Sequence, residues 1–429
     1  MASSATSNKN NMDDRVYDLV VVGATGYTGT LTAEHIAQFL PTNTKWAIAG
    51  RSTGKLDELA VKLKKLSPDR VQPVAETFDL SDERALAQLV GKAKVCISVV
   101  SYWQVGEEVV RACVASGTDY VDANGGIYGL KGWIDKYHEQ AVARRVTLIH
   151  ACAVYAAPHD LLTLLLIREL RSRASVQTRK VVVAVVGTPM GISGGTADSI
   201  MHDATSSPPD AAAKLQNPWI LSPVPGITGG SDDRTDVFGM YSENGLGLLS
   251  DTSYSAAQDR HIVHRTWGLL SGSDNGYGSH FQYREYSRAE SKISGILKFL
   301  TALLTSCVLR FALLRAFAKR FVFPAPGEGP DVKQSRLDRF TIEAVAVGEP
   351  EGAQGKAAPR AYGRFTFHGG AGYLCTAACL AQGAATLLSG SRDDVTSGHQ
   401  GGMITPAFLG AGLMERLCKA GGEVEVRML

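Results

Sequence analysis

Residues Tyr17 to Gly29 read YDLVVVGATGYTG. The run Tyr17–Val22 is short, apolar and bounded by Gly23, the pattern of a strand buried on both faces of a parallel sheet. Thr28 to Leu40 follows with helical spacing, and Pro41 ends it. In a strand–turn–helix of this kind each glycine has a task. The first permits the tight turn, the second lets backbone N–H groups approach a pyrophosphate, and the third lets the helix pack close to the sheet. The helix N-terminus then faces negative charge, which its dipole favours. The stretch predicts a dinucleotide-binding turn lined by Gly23, Thr25, Gly26, Tyr27, Thr28 and Gly29.

Outward from this turn the alternation repeats. Trp46–Ala49, Val71–Phe78, Val95–Val100, Tyr120–Val121 and Val146–His150 read as strands. Lys55–Leu66, Asp82–Val90, Gly106–Ser116 and Lys136–Arg144 read as the helices between them. The expectation is an α/β fold with a doubly wound parallel sheet, whose ligands bind beyond the carboxyl ends of the strands. The end of the second strand reads Ala49-Gly50-Arg51-Ser52, without the acid that usually holds an NAD ribose. Arg51 and Ser52, helped by Lys55, suit a 2′-phosphate instead, so the cofactor predicted is NADP. Asp79, after the third strand, is placed to meet the adenine edge. Val100 and Ser101, after the fourth, are placed to line the nicotinamide half.

The middle of the chain changes character. Asp160–Ser172 reads as a helix opened by an Asp160 cap, Val181–Val186 as a strand, and Gly191–Gly195 as a glycine-rich turn before a helix over Thr196–Ala204. Ser206–Gly247 is rich in Pro, Gly, Ser and Asp and reads as irregular surface. Phe281–Tyr286, Phe340–Val347 and Arg364–Phe367 alternate as half-buried strands do. Glu349–Pro359 reads as a hairpin loop between the last two. These elements predict a second, mixed α/β domain with a largely antiparallel sheet. Thr405-Pro406 opens a final helix that Gly421-Gly422 closes. The boundaries expected are a disordered arm at 1–15, a dinucleotide-binding domain at 16–155, a substrate domain at 156–370 and a C-terminal helical segment at 371–429.

Composition narrows the function. The chain has 429 residues and a formal net charge of +2, too even a balance for a general polyanion binder. Seven cysteines without a C-x-x-C pair fit a reduced, intracellular protein; Cys375 and Cys379 read as small packing residues. The polar N-terminus lacks the apolar core of a secretory signal. No Cys/His/Asp spacing resembles a metal site. The apolar segment 293–323 stands apart. Lys298 interrupts it, and only eleven uncharged residues separate Lys298 from Arg310, too few for a clean membrane span. Its basic flanks leave three readings: helices lying on a membrane or lipid-droplet surface, a buried helix pair, or a homodimer contact.

The GATGYTG turn, the AGRS at 49–52 and the run GEEVVRACVASGTDYVDANG resemble the saccharopine dehydrogenase-like oxidoreductases, a family that includes trans-acting enoyl reductases. Ser193-Gly194-Gly195-Thr196, Tyr277-Gly278 to Glu285, Pro326-Gly327-Glu328-Gly329-Pro330, Gly372-Tyr373 and Gly401 to Ala407 extend the likeness over nearly the whole chain. The resemblance implies a Rossmann domain, an inserted mixed α/β domain, a C-terminal helix returning to the first domain, and NADP-dependent reduction. Two stretches depart from it. Asn124-Gly125-Gly126 stands where the family has a Ser-Gly-Glu turn. Ala153-Val154-Tyr155-Ala156-Ala157-Pro158 stands where it has Gly-Phe-Asp-Ser-x-Pro, so Tyr155 and Ala156 replace an Asp and a Ser.

Hydride transfer needs an oriented acceptor and often a proton donor. Tyr102, Tyr155 and His159 are donor-capable residues beyond strand ends and are the catalytic candidates; His202 reads as structural. The leading expectation is a reductase of a hydrophobic polyketide- or terpenoid-type substrate. A redox-neutral isomerase or cyclase, or a membrane-associated nucleotide-binding protein without catalysis, are the alternatives.

Overall fold

A computed structural model describes residues 14–79, 81–187, 191–206, 208–227, 235–350, 357–390 and 401–429. The first half builds one sheet from β1 (Tyr17–Val22), β2 (Trp46–Gly50), β3 (Val74–Thr77), β4 (Ala93–Ser98), β5 (Asp119–Asp122) and β6 (Thr147–Ile149). Helices α1 (Tyr27–Phe39), α2 (Thr53–Leu66), α3 (Glu83–Gly91), α4 (Glu107–Ser116) and α5 (Ile127–Arg144) connect them. The strand order is β13-β6-β5-β4-β1-β2-β3, all parallel, with β13 a late addition from Gly402–Ile404. Alternation along β1 feeds both layers. Leu19 and Val21 pack in one core with Ile36 and Leu56, while Val20 and Val22 pack in the other with Leu86, Val109 and Trp133. All four β1 residues are fully buried, which is why the strand reads as one apolar run.

The second half begins with α6 (Ala157–Ala174), β7 (Thr178–Val185), α7 (Gly194–Ser206) and α8 (Ala211–Leu215). Then come β8 (Met240–Glu243), β9 (Gly247–Ser250), α9 (Ala256–Leu270), β10 (Gln282–Arg288), α10 (Lys292–Arg310), α11 (Ala312–Phe321), α12 (Val332–Leu337), β11 (Phe340–Gly348) and β12 (Arg360–Phe367). The chain closes with α13 (Tyr373–Ser389), β13, a short 3-10 turn, α14 (Gly410–Lys419) and β14 (Gly422–Met428). The second sheet runs β14-β12-β11-β7-β10-β9-β8, antiparallel except for the β7–β10 pair.

Several expectations change. The arm expected at 1–15 lies outside the described residues up to position 13. Arg15 is not loose: its guanidinium donates to the Ala93 carbonyl at 2.5 Å and the Ser116 carbonyl at 2.6 Å. The stretch expected to be irregular contains α8 and the β8 strand of a hairpin; positions 207 and 228–234 are outside the described residues, as are 351–356 of the expected hairpin loop. The C-terminal segment divides. Helix α13 packs against α1 and over β4 and β5, and β13 extends the first sheet. Strand β14 instead pairs with β12 in the second sheet. Asp160 does not cap its own helix. Its buried carboxylate accepts from the Thr266 hydroxyl at 2.7 Å and the Ala407 N–H at 2.8 Å, tying α6 to α9 and to the 3-10 turn.

Candidate functional site

The dinucleotide turn has the shape its glycines demand. Gly23 sits at φ +86°, and a Cβ there would come within 3.1 Å of the Val100 side chain. A Cβ on Gly29 would run into the Gly23 carbonyl and stand 2.8 Å from the Ala24 Cα. Gly26 is the N-cap of α1; no side chain caps that end, and no acid lies in its first turn. An uncapped helix start above a glycine cradle is a seat for an anion, so the residues present fit the pyrophosphate of a dinucleotide. Thr25 and Thr28 belong to the same turn.

Arg51, Ser52 and Lys55 are exposed at the carboxyl end of β2. Ser52 also caps α2, accepting the Lys55 N–H at 3.4 Å. Asp79 is exposed beyond β3; its carboxylate accepts the Ser81 N–H, which with nearby Arg51 holds it below the usual carboxylate range. Val100 and Ser101 are half-buried beyond β4. These residues therefore share one edge of the sheet. Tyr27 has an added task. Its hydroxyl donates to the Pro330 carbonyl at 2.5 Å, and its ring meets Tyr373 edge-on at 5.1 Å. Tyr373 in turn accepts the Ser193 N–H at 2.8 Å, and Gly194 donates to the Glu328 carbonyl at 2.9 Å. A Cβ on Gly329 would lie 2.7 Å from the Tyr27 ring. The two glycine-bearing loops of the second domain thus interlock beside the cofactor turn.

Tyr102 opens a π-helical turn, Tyr102–Gly106, directly after β4. Its hydroxyl donates to the Asp203 carboxylate on α7. Burial, then that bond, pushes the phenol well above its ordinary range, and burial also raises Asp203. A Cβ on Gly126 would lie 2.5 Å from the Tyr102 ring. The departure at Asn124-Gly125-Gly126 therefore makes room for this tyrosine. Trp103 stacks on His202 at 4.4 Å, next to Asp203. Tyr155 is largely buried, its ring 6.2 Å from Tyr254 and 6.4 Å from Phe340. Burial first, then the Asp259 and Glu285 carboxylates, raises its hydroxyl as well. The loop bearing it is bracketed by Ala151 at φ 55° and Ala156 at φ 75°. Left-handed alanines cost about 1 kcal/mol or more each and cluster where a side chain must be held in place.

His159 is the correction. It was expected at the cleft, but α6 starts at Ala157 and its first turn dives into the core, leaving His159 with no exposed surface. There its Nδ1 lies 3.5 Å from Asp259 and its Nε2 3.7 Å from Glu285. One ligand atom from each of the three lies within 4.8 Å of the others, a spacing that could hold a divalent cation. Glu285 accepts from the Ser253, Ser255 and Tyr283 hydroxyls, while burial first, then the Glu285 charge, raises Asp259 well above the usual carboxylate range. Burial lowers His159, keeping the imidazole neutral. Asp203, Tyr254 and Asp259 are absent from the sequence reading, and Tyr373 and Glu285 enter it only within family-like stretches, with no role assigned.

Residues 19–149 match the saccharopine dehydrogenase NADP-binding domain. A Mycobacterium tuberculosis protein provisionally named a trans-acting enoyl reductase is 29% identical over 433 residues, covering 97% of this chain and 98% of its own. The trans-acting enoyl reductase of Mycobacterium leprae is 28% identical over 436 residues, covering 95% of this chain and 97% of its own. The apo saccharopine dehydrogenase (L-Glu forming) of Saccharomyces cerevisiae superposes with a TM-score of 0.51 at 13% identity, covering 96% of this chain and all of that one, a likeness of fold. The first half of the chain thus carries a saccharopine dehydrogenase NADP-binding domain, and the whole chain is similar, end to end, to proteins named trans-acting enoyl reductases.

Proposed function

We propose that the protein reduces an activated C=C bond of a hydrophobic, polyketide- or terpenoid-type substrate with NADPH. The observation that carries this reading is the Tyr102–Asp203 pair, which stands four residues beyond the end of β4, beside the residues expected to line the nicotinamide half of the site. Bound NADPH supplies the hydride. The acceptor C=C then needs one proton, and the Tyr102 hydroxyl gives it to the α carbon while the former π electrons form that C–H bond. Asp203, which accepts the Tyr102 O–H hydrogen bond, is the group placed to return a proton to Tyr102 from solvent. Tyr155, Tyr254 and Trp103 offer aromatic walls for an apolar chain, and the names of the relatives support the reaction class.

The test is turnover of a long-chain α,β-unsaturated acyl thioester, with NADPH oxidation and product mass followed together. The expected product carries one added hydride and one added proton per NADPH consumed. A product isomeric with the substrate and no NADPH consumed would replace this reading with an isomerase or cyclase. Undiminished function after Gly26→Trp would point to a role without the cofactor.

A further inference from the structure

We propose that α10 and α11 form a hairpin that seats the protein in one leaflet of an anionic phospholipid bilayer. The two helices are nearly bare: only Gly295 is buried in α10 and only Ala318 in α11. Leu304 is 66% exposed, Leu313 87% and Phe321 69%. A contiguous apolar surface of this kind marks an interaction site rather than scattered surface residues.

The polar groups of the hairpin say which medium covers it. Lys298, which in the sequence breaks the apolar run, turns inward and donates to the Arg288 carbonyl at 2.5 Å. Thr301, Thr305 and Ser306 each donate at 2.9 Å to the carbonyl four residues earlier on their own helix. Arg315 folds back onto the Leu309 and Arg310 carbonyls, closing the end of α10. Water would satisfy such groups without help, whereas hydrocarbon requires that they be satisfied internally. The charge has one sign: no Asp or Glu occurs from 292 to 323. Lys292, Arg310 and Arg320 are exposed at the helix ends, where their stems can lie along lipid while their heads reach anionic headgroups.

The hairpin does not cross the bilayer. Helix α10, at about 1.5 Å per residue, approaches the hydrocarbon thickness in length. Its first third, however, is held to the protein. Gly295 packs on Met240 so closely that a Cβ would strike the sulfur, and Phe299 meets Phe238 at 6.4 Å. After α11 the chain returns at once to the Pro330–Tyr27 contact. The hairpin also touches α7, where Lys319 lies 3.6 Å from Asp198, one turn before the Asp203 that meets Tyr102. The surface that faces lipid is therefore next to the helix that lines the cleft.

The test is flotation of the full chain with vesicles of phosphatidylcholine alone or with phosphatidylserine added. The wild type should float with the mixed vesicles at least tenfold more than with phosphatidylcholine. Leu304→Glu with Leu313→Glu should abolish flotation, and Arg310→Glu with Arg320→Glu should erase the preference for phosphatidylserine. Unchanged NADPH binding in each variant shows that it is folded. Flotation requires no turnover, so its outcome is separate from that of the reductase reading. A wild type that stays at the bottom of the gradient, or one that forms a concentration-dependent dimer dispersed by the leucine variants, would overturn the proposal.

Discussion

Replacing Arg51 with alanine should weaken NADPH binding and leave NADH binding almost unchanged. Arg51 follows Gly50, the last residue of β2, where the adenosine ribose of a bound dinucleotide is expected. Its guanidinium is exposed, so a pair with a 2′-phosphate sits in high dielectric and belongs near the low end of charge-assisted bonds, about 2 kcal/mol. That corresponds to roughly thirtyfold in Kd. NADH lacks the phosphate, and its loss should stay within about threefold. Asp79 sharpens the test. It lies close enough to Arg51 for the two charges to interact, and it keeps its negative charge at neutral pH. Asp79→Asn removes an anion that repels the phosphate and should tighten NADPH relative to NADH by a few-fold. Calorimetric titration of the three proteins with both dinucleotides, at low and high salt, reads all of this. The Arg51 contribution should shrink as salt rises, because the Debye length falls to about 3 Å at 1 M. Equal losses for NADPH and NADH in Arg51→Ala would show that Arg51 supports the local fold and does not read the phosphate.

Tyr102→Phe should lower turnover by about 10² or more with NADPH affinity retained, since general acid catalysis typically contributes that much; single-turnover rates beside NADPH titration separate the two effects. Gly126→Ala sets a methyl against the Tyr102 ring and should cost about 1–3 kcal/mol of overpacking, read as a lower urea midpoint, together with lost turnover. Acid should destabilise the protein before its carboxylates titrate. Burial lowers His35 to about 4 and His264 to about 3, so their contribution to stability is complete above the unfolded value of about 6.5 and is lost as pH falls. At pH 5 each should have cost about 2 kcal/mol. Identical urea midpoints at pH 7 and pH 5 would refute it.

What the sequence shows and hides follows from where each interaction closes. The cofactor turn is local: β1, Gly23, Gly26, Gly29 and α1 are consecutive, so the strand, the cradle and the anion seat are legible without any other part of the chain. In the second sheet β11 and β12 are legible as strands for the same reason, although both faces of each are buried where half-buried strands are expected. Helix α9 was invisible because half of what it buries is polar. Asp259, His261, His264, Arg265 and Thr266 are all buried, and His264 and Arg265 find partners in Pro218, Leu221 and Met403 that no periodicity in residues 256–270 reveals. That one omission explains the misplacement of His159. Without α9 there is no Asp259, and an isolated histidine after a strand end reads as facing the cleft. Strand β13 has three residues and joins β6 across more than 250 positions, so pairing alone makes it a strand. Lys298 shows the converse error. Counted along the sequence it is a charge that divides an apolar run, and the count argues against lipid. Placed in space it is a group that ties α10 to β10, and the exposed surface of α10 that it leaves behind carries no charge between Lys292 and Arg310. A charge constrains a membrane reading only by the direction in which it points, and that direction is fixed by a carbonyl ten residues earlier, at Arg288.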